Sequence, residues 1–478
     1  MIDASNRLYP PRLAVLFVLA TVPLLFGAVH PIVQSGYVCL VLAGLGGWLL
    51  LRRAEQRPIA WRWLLPMLIL LGWAAVQSLP LPISLVELLS PARAERMRQV
   101  ALLAGDARSL IPLSDQGAAS LHQVILYLAL LVYFLALRTL LDEHPTFLAA
   151  VAGVIALVGA GEALYGLFQF LRPQLGVLWL SISQRAAQGT IIYKNQYAAL
   201  LNLCWPVAVG LAVAALGRIF AVDPRRSTRR FGQVLRNLNR ENRLVGLYLL
   251  AAGMMLLAVL FSLSRGGIIS MLVVLFTLNL TLPLSRRTRL TVAAVLLFFL
   301  GGYGLLLGLD TVVNRFNSID QSGLGRLNVY LASLPMVSEH WLTGIGLGSY
   351  DLLSPVYLKG LPAQVHFDHA HNEYLEFAVE LGLPAAALLF GWLATLMVRA
   401  GLGLSRLHRT EEARSTAVLV GTAAFAALVG LFVHGWVDFG WRLPATLFYA
   451  TTLAALVATA LRPRPGRSAT HTRGEATP

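Results

Sequence analysis

The sequence predicts an all-α polytopic membrane protein with about twelve transmembrane helices. Of its 478 residues, 57% are hydrophobic and only 13% are charged. The apolar runs repeatedly reach the roughly 20 residues that a helix needs to cross a bilayer. They predict spans near residues 13–29, 32–51, 62–79, 121–141, 147–170, 195–217, 244–263, 266–284, 290–308, 374–398, 416–434 and 443–461.

These spans divide the chain into four parts. Residues 1–309 hold transmembrane helices 1–9, residues 310–371 form a large non-cytoplasmic loop, and residues 372–461 hold helices 10–12. Residues 462–478 are rich in Pro, Gly and Thr, which predicts a disordered cytoplasmic tail. The first apolar run leads directly into the second, so no cleavable signal peptide is expected.

Basic residues predict the orientation of the chain. Arginine clusters follow spans two, six, eight, ten and twelve, so the positive-inside rule places both termini in the cytoplasm. This pattern accounts for the net charge of +15 without a nucleic-acid partner. The basic segment 218–243 carries an apolar stripe and predicts an interfacial helix on anionic membrane lipids.

The stretch from His369 to Glu373 is the strongest candidate for chemistry. It places two imidazoles, Asn372 and a carboxylate at the mouth of an apolar helix. A neutral imidazole with a pKa near 6.5 is suited to take a proton from an attacking hydroxyl. We predict His371 as this general base, with His369 as the second choice.

Three glutamates share one face of predicted span ten. Glu373, Glu376 and Glu380 recur at the i, i+3 and i+7 positions of that helix. A carboxylate in hydrocarbon costs roughly 2.5 kcal/mol or more. This face is therefore expected to line a polar cavity or to pair with a cation.

Cations on the non-cytoplasmic side predict an anionic substrate. Arg265 lies in the short turn between spans seven and eight, against the positive-inside trend, and Arg326 lies in the large loop on the same side. Together they would clamp a diphosphate through guanidinium hydrogen bonds. Lys194 is a possible accessory donor. Snorkelling of Arg265 and a capping turn at Lys194 are the alternatives.

His434 and Asp438 lie one helical turn apart at the outer end of span eleven. They predict either a pair in which the carboxylate orients the imidazole, or ordinary structural hydrogen bonding. Trp436 and Trp441 fit an interfacial belt of aromatic residues, and Arg442 follows them.

Several other motifs have a structural explanation and predict no binding site. His366, His369 and His371 match no zinc-binding spacing, so no metal or other cofactor is predicted. The run from Gly344 to Gly348 lacks the Lys and Ser/Thr of a phosphate loop and predicts tight turns. Cys39 and Cys204 fall inside predicted spans. The segment 80–120 is expected to connect spans along the membrane surface.

Taken together, the motifs resemble those of the O-antigen ligase and polymerase superfamily of bacterial envelope glycosyltransferases. The resemblance covers roughly residues 185–445. It rests on the residues His369 to Leu375 and Glu380-Leu381-Gly382, on Ser264-Arg265-Gly266-Gly267, Gly325-Arg326 and the Gly344 to Gly348 run, and on His434, Asp438-Phe439 and Pro444. Pro384 departs from the family pattern, which affects packing detail.

The resemblance implies a GT-C-like membrane fold with its active site in the periplasm of a bacterium and its helices in the inner membrane. It implies an undecaprenyl-diphosphate-linked glycan donor held by Arg265 and Arg326, with His371 activating the acceptor hydroxyl. The transfer would be inverting and metal-independent. The acceptor would be lipid A-core for a ligase, or a second lipid-linked glycan for a polymerase.

The sequence leaves several functions open. An O-antigen ligase is the leading interpretation, and a polymerase of O-antigen or exopolysaccharide follows closely because the segment 80–120 is long. A protein O-oligosaccharyltransferase uses the same donor. A twelve-span transporter is a different class, for which Glu162 in span five is the main candidate residue.

Overall fold

The computed structural model describes residues 9–52, 63–105, 108–181, 185–222, 240–282, 286–287, 289–290, 319–358 and 367–462. Within these ranges the chain is mostly helical, and it contains one short antiparallel ladder of two strands. Several predictions fall outside the described residues: most of span nine, most of the basic segment, nearly all of the tail, Lys359 and His366.

The helices and strands are numbered in chain order. Their bounds are α1 Tyr9–Thr21, α2 Pro31–Leu51, α3 Leu65–Ser78, β1 Pro80–Pro82, α4 Ile83–Leu89, α5 Pro91–Ala104, β2 Leu110–Pro112, α6 Gly117–Glu143, α7 Phe147–Leu171, α8 Lys194–Val222, α9 Arg240–Phe261, α10 Arg265–Thr281, α11 Ile319–Glu339, α12 Tyr350–Tyr357, α13 Glu373–Leu381, α14 Leu383–Leu407, α15 Thr416–His434 and α16 Pro444–Ala460.

Seven of the described helices are long and apolar enough to cross a membrane, namely α2, α6, α7, α8, α9, α14 and α15. The shorter helices α1, α3, α10 and α16 are also apolar. Each of these overlaps one of the predicted spans. The prediction of an all-α polytopic membrane protein is therefore confirmed, whereas the count of twelve spans stays a prediction.

Helix α8 lies at the centre of the bundle. It packs against α7, α9, α10 and α15, and its large side chains Trp205 and Tyr197 are fully buried. Small residues allow these close contacts. At Gly210, for example, a Cβ atom would lie 3.2 Å from the Leu419 carbonyl oxygen in α15.

Predicted span ten is wrong as a single helix, because the chain breaks at Gly382. This residue has a φ of +81°, a left-handed conformation that favours glycine. A Cβ atom there would meet the Leu342 carbonyl oxygen at 2.6 Å. Pro384 is the second residue of α14, in the first turn, where its missing N–H costs nothing. The three glutamates consequently lie in α13, a separate nine-residue helix ahead of the candidate span α14.

The segment 80–120 is not the simple surface connector that was predicted, because it packs onto the start of the glycine run. β1 pairs with β2, and the Asp115 N–H donates to the Ile345 carbonyl at 2.8 Å. Gly346, with a φ of +95°, approaches Ser114 so closely that a Cβ atom would lie 2.2 Å from its Oγ. The predicted tight turns are thus observed at Gly344, Gly346 and Gly348.

Candidate active site

The two histidines lie on a tightly held turn that leads into α13. Asn372 caps this helix, since its side chain accepts a hydrogen bond from the Leu375 N–H at 3.1 Å. His371 has a φ of +54°, and its carbonyl accepts from the Tyr330 hydroxyl at 2.9 Å. The Glu373 N–H donates to the Gly435 carbonyl at 2.8 Å. The Tyr330 bond holds the turn against α11, and the Glu373 bond holds it against Gly435, just after the end of α15.

His371 pairs with Asp438. Its Nδ1 lies 3.2 Å from Asp438 Oδ1, and the carboxylate is only 2% exposed. Arg326 contacts the other carboxylate oxygen at 3.4 Å and donates to the Val437 carbonyl at 2.7 Å. Burial alone would raise the pKa of Asp438, but the His371 hydrogen bond and nearby positive charges lower it. An ionised carboxylate thus orients the imidazole.

His369 forms a second pair, with Glu376. Its Nδ1 lies 2.8 Å from Glu376 Oε1, while the Ala370 N–H donates to Oε2 at 2.8 Å. Burial lowers the pKa of His369, but Glu376 more than offsets this, so the pKa is raised above its ordinary value. His369 is therefore protonated more readily than an ordinary histidine.

The Phe439 ring contacts both imidazoles. The His369 ring stacks on it, with the centroids 4.3 Å apart and an interplanar angle of 25°. The His371 ring meets it edge-on at 4.9 Å and 71°. One phenylalanine therefore fixes the relative position of the two histidines.

The predicted cation partner of the glutamate face is Arg442, whose role the sequence reasoning missed. Its guanidinium contacts Glu380 Oε2 at 2.7 Å, Glu373 Oε2 at 3.2 Å and Glu376 Oε1 at 3.5 Å. The Arg442 side chain is 8% exposed and those of the glutamates at most 1%. Burial raises the pKa of Glu373 to about 7, because the charge of Arg442 offsets it only partly.

A signal for Arg442 was present in the sequence. The positive-inside rule predicts that it stands on the non-cytoplasmic side, as it does for Arg265, and an arginine there goes against the trend. Because Arg442 follows Trp436 and Trp441, the sequence was interpreted as an interfacial aromatic belt and no partner was predicted for the arginine. In the structure Trp441 is 8% exposed, its backbone N–H donates to Glu373 at 2.6 Å and its indole N–H donates to the Leu431 carbonyl at 3.1 Å, so this tryptophan belongs to the interior.

Arg265 lies close to the turn that Arg326 contacts. It is the first residue of α10, exposed, and Ser264 caps the helix by accepting from the Gly267 N–H at 3.1 Å. A Cβ atom on Gly266 would lie 2.8 Å from Val437 Cγ2. The structure therefore brings both predicted diphosphate ligands to the turn between α15 and α16.

Lys194 approaches the same region from α8. It is the first residue of that helix and is half-buried. The preceding Tyr193 places its ring 5.8 Å from that of Phe439. Arg326 and His371 thus contact residues 435–442 directly, and Lys194 and Arg265 are adjacent in the chain to residues that do.

The predicted side-chain pair of His434 with Asp438 is not observed. Asp438 instead contacts His371 and Arg326, because its side chain extends beyond the end of α15. His434 is fully buried, and neither ring nitrogen has a hydrogen-bond partner among the described residues. Its ring lies against Gly266 and Gly440, where a Cβ atom would come within 3.5 Å of Nε2 and 3.1 Å of Nδ1, respectively.

In the described part of the chain, no group of three or more His, Cys, Asp or Glu side chains is placed to bind a metal ion. His366, the third imidazole of the triplet considered in the sequence, lies outside that part.

Glu162, the candidate for a transporter, holds a neighbouring loop. Its Oε1 lies 2.6 Å from the Thr190 hydroxyl, and its Oε2 accepts from the Thr190 N–H at 2.8 Å. Tyr197 donates to the Glu162 carbonyl at 3.0 Å. The carboxylate thereby ties α7 to the segment that precedes α8, which is a structural role.

Comparison with known proteins agrees with the resemblance seen in the sequence. Residues 250–390 match the family described as O-antigen ligase. The match includes Arg265, Arg326, both histidines and α13, and it ends before Asp438 and Arg442. No curated protein matches the chain. Over these residues, which are less than a third of the chain, the protein is similar to the O-antigen ligase family.

Proposed function

We propose that this protein is an O-antigen ligase-like glycosyltransferase. It transfers a glycan from an undecaprenyl-diphosphate-linked donor to a hydroxyl of lipid A-core, at the periplasmic face of the bacterial inner membrane. The family match supports chemistry of the ligase or polymerase type. The observation that carries the proposal is the contact of one buried carboxylate, Asp438, with both His371 and Arg326.

In the proposed reaction His371 is the general base. Asp438 bonds to Nδ1, which leaves Nε2 to take the proton of the acceptor hydroxyl. The acceptor oxygen forms a bond to the anomeric carbon as the bond from that carbon to the diphosphate oxygen breaks. A single displacement of this kind inverts the anomeric configuration.

Arg265 and Arg326 neutralise the departing diphosphate. The guanidinium of Arg326 has five N–H donors, and the described contacts to Val437 and Asp438 use only its two terminal nitrogens. These two contacts fix the orientation of the Arg326 guanidinium, and its remaining N–H groups can donate to phosphate oxygens. Fixed positive charge near a leaving group stabilises the transition state without a metal ion. Lys194 is an accessory donor in this scheme.

The test uses purified protein and an undecaprenyl-diphosphate-linked oligosaccharide, with and without lipid A-core, and resolves the products by mass. We expect glycan on lipid A-core from the wild type. His371→Ala should lower turnover about 100-fold or more while donor binding persists. His408→Ala, at the opposite end of α14, is the matched control and should retain turnover.

The other outcomes separate the alternatives. Longer lipid-linked chains without lipid A-core would establish a polymerase of O-antigen or exopolysaccharide. Glycan on an added protein substrate would establish an oligosaccharyltransferase. Movement of the donor across a vesicle membrane, with turnover unaffected by His371→Ala, would favour a transporter and contradict the proposed mechanism.

A further inference from the structure

A pocket of about 190 Å³ opens beside His369 and not beside His371. Its lining includes Tyr193, Gln196, Asp368, His369, Phe439 and Arg442. These residues come from three places in the chain: the start of α8, the turn before α13, and the turn before α16. The pocket is therefore a product of the tertiary fold, built from the segments that surround the candidate active site.

The lining combines aromatic rings with polar groups. Tyr193 is 51% exposed and Phe439 is 7% exposed. Such rings offer flat apolar faces against which the C–H face of a sugar can pack. Around them, Gln196 supplies an amide, Asp368 a carboxylate and His369 an imidazole. Apolar surfaces with a few convergent polar groups are characteristic of small-ligand sites, and this mixture suits a saccharide with its hydroxyls.

The size of the pocket limits its occupant. Sites for drug-sized ligands span about 300–1,000 Å³, so a pocket of 190 Å³ holds a part of such a ligand. A single sugar ring at the end of a glycan meets this limit, with the remainder of the glycan outside. A diphosphate is less suitable, because Asp368 and the carboxylates around Arg442 add negative charge to this region.

We propose that this pocket binds the terminal sugar of the acceptor glycan, with the sugar ring against the exposed Tyr193 and with His369 donating a hydrogen bond to one of the sugar hydroxyls. This inference rests on the proposed function. Phe439 lines the pocket and also contacts His371, so one aromatic ring separates a sugar in the pocket from the proposed base. The two histidines then divide the work: His369 binds the acceptor, and His371 removes the proton of the attacking hydroxyl.

Glu376 suits His369 to this binding role. The carboxylate holds Nδ1 at 2.8 Å and favours the protonated ring. A protonated imidazole donates from Nε2 and has no lone pair with which to accept a proton. His371, with its own carboxylate partner Asp438, remains the general base.

The experiment measures binding and turnover separately in the full-length protein. Gln196→Ala and Asp368→Asn each alter one polar group of the pocket, and Gln99→Ala, on the exposed face of α5, is the matched control. The probes are two lipid-free saccharides: the core oligosaccharide of lipopolysaccharide and a repeat-unit oligosaccharide. Calorimetry gives the Kd for each probe, and steady-state assays give KM for acceptor and donor.

We expect each pocket variant to raise the acceptor KM and the probe Kd about tenfold, as expected for loss of a hydrogen bond. The donor KM should stay within about twofold of the wild type. Tight binding of core oligosaccharide alone would indicate a ligase acceptor, whereas tight binding of the repeat unit would indicate a polymerase acceptor. Either result supports the pocket.

Two results would overturn the inference: unchanged probe Kd in both pocket variants, or an equal loss of donor and acceptor binding. A melting temperature measured for each variant separates loss of binding from loss of folding, and Asp368→Asn, at an exposed position, keeps the test valid if Gln196→Ala misfolds. Probe binding that depends on Gln196 and Asp368 in a protein that transfers no glycan would contradict the proposed function and leave the pocket established.

Discussion

Replacing Arg442 with methionine removes the cation that contacts all three buried glutamates of α13. The Arg442 guanidinium lies within 3.5 Å of Glu373, Glu376 and Glu380 and is 8% exposed. Its Cζ also lies 4.4 Å from the centroid of the Phe377 ring. Methionine fills much of the space but leaves the carboxylates without their partner. Removal of one member of a buried ion pair costs about 3–5 kcal/mol.

Two further variants test the electrostatic origin of this loss. Arg442→Lys keeps the charge but lacks the planar fork that reaches Glu373 and Glu380 together, so we expect a smaller loss. The double variant Arg442→Met/Glu380→Gln removes one unpaired carboxylate and should regain part of the stability. Lower pH should also reduce the effect of Arg442→Met, because protonation neutralises the carboxylates.

The chain supplies a convenient reporter of unfolding. Cys204 is fully buried in α8, whereas Cys39 is exposed. In a Cys39→Ser background, a thiol-reactive dye therefore detects loss of the bundle core. All variants are heated at one rate, since membrane proteins often unfold irreversibly. Tryptophan fluorescence serves for the pH series, because thiol reactivity itself depends on pH.

We expect Arg442→Met to melt several degrees below the wild type. Domains of 150–250 residues lose about 2–4 °C per kcal/mol, and a longer chain loses less. A melting temperature within about 1 °C of the wild type, unchanged by the second substitution at Glu380, would refute the reasoning. It would mean that packing alone holds α13 in place.

Three other predictions follow from single positions. Asp438→Asn should lower kcat about 100-fold without raising the acceptor KM, because His371 loses the charge that orients it; a decrease below threefold would contradict this role. The pKa of Glu373 is raised from 4.5 to about 7, so its contribution to stability is complete below pH 4.5 and is lost as the pH rises through about 7. Glu373→Gln should therefore flatten the melting temperature across that window, and pH profiles identical to the wild type would argue against it. Gly382→Ala should destabilise the protein by about 1 kcal/mol or more through its left-handed φ, whereas Gly72→Ala, which has open space in α3, should be neutral or better; the two melts are compared directly.

The apolar pattern predicted the spans well, because hydrophobic length is a local property. Predicted span 147–170 corresponds to Phe147–Leu171, and predicted span 32–51 to Pro31–Leu51. The prediction of span ten as one helix was wrong, because the sequence stays apolar across Gly382 whereas the helix ends at Leu381 and a new one begins at Leu383. Gly382 and Pro384 were visible in the sequence, but such residues also occur within transmembrane helices. Only the close approach of the Leu342 carbonyl requires the left-handed glycine.

The sequence by itself determined the membrane class, the family resemblance and the residue types of the candidate site. These are two imidazoles, three carboxylates and two arginines, which the positive-inside rule predicts to lie on one side of the membrane. It did not determine their partners. Asp438 binds His371, 67 residues away, and Arg442 binds Glu373, 69 residues away. Hydrophobicity and helical periodicity concern neighbours along the chain, whereas these partners are set by how α13 packs against the turn between α15 and α16. That packing exists only in the folded bundle.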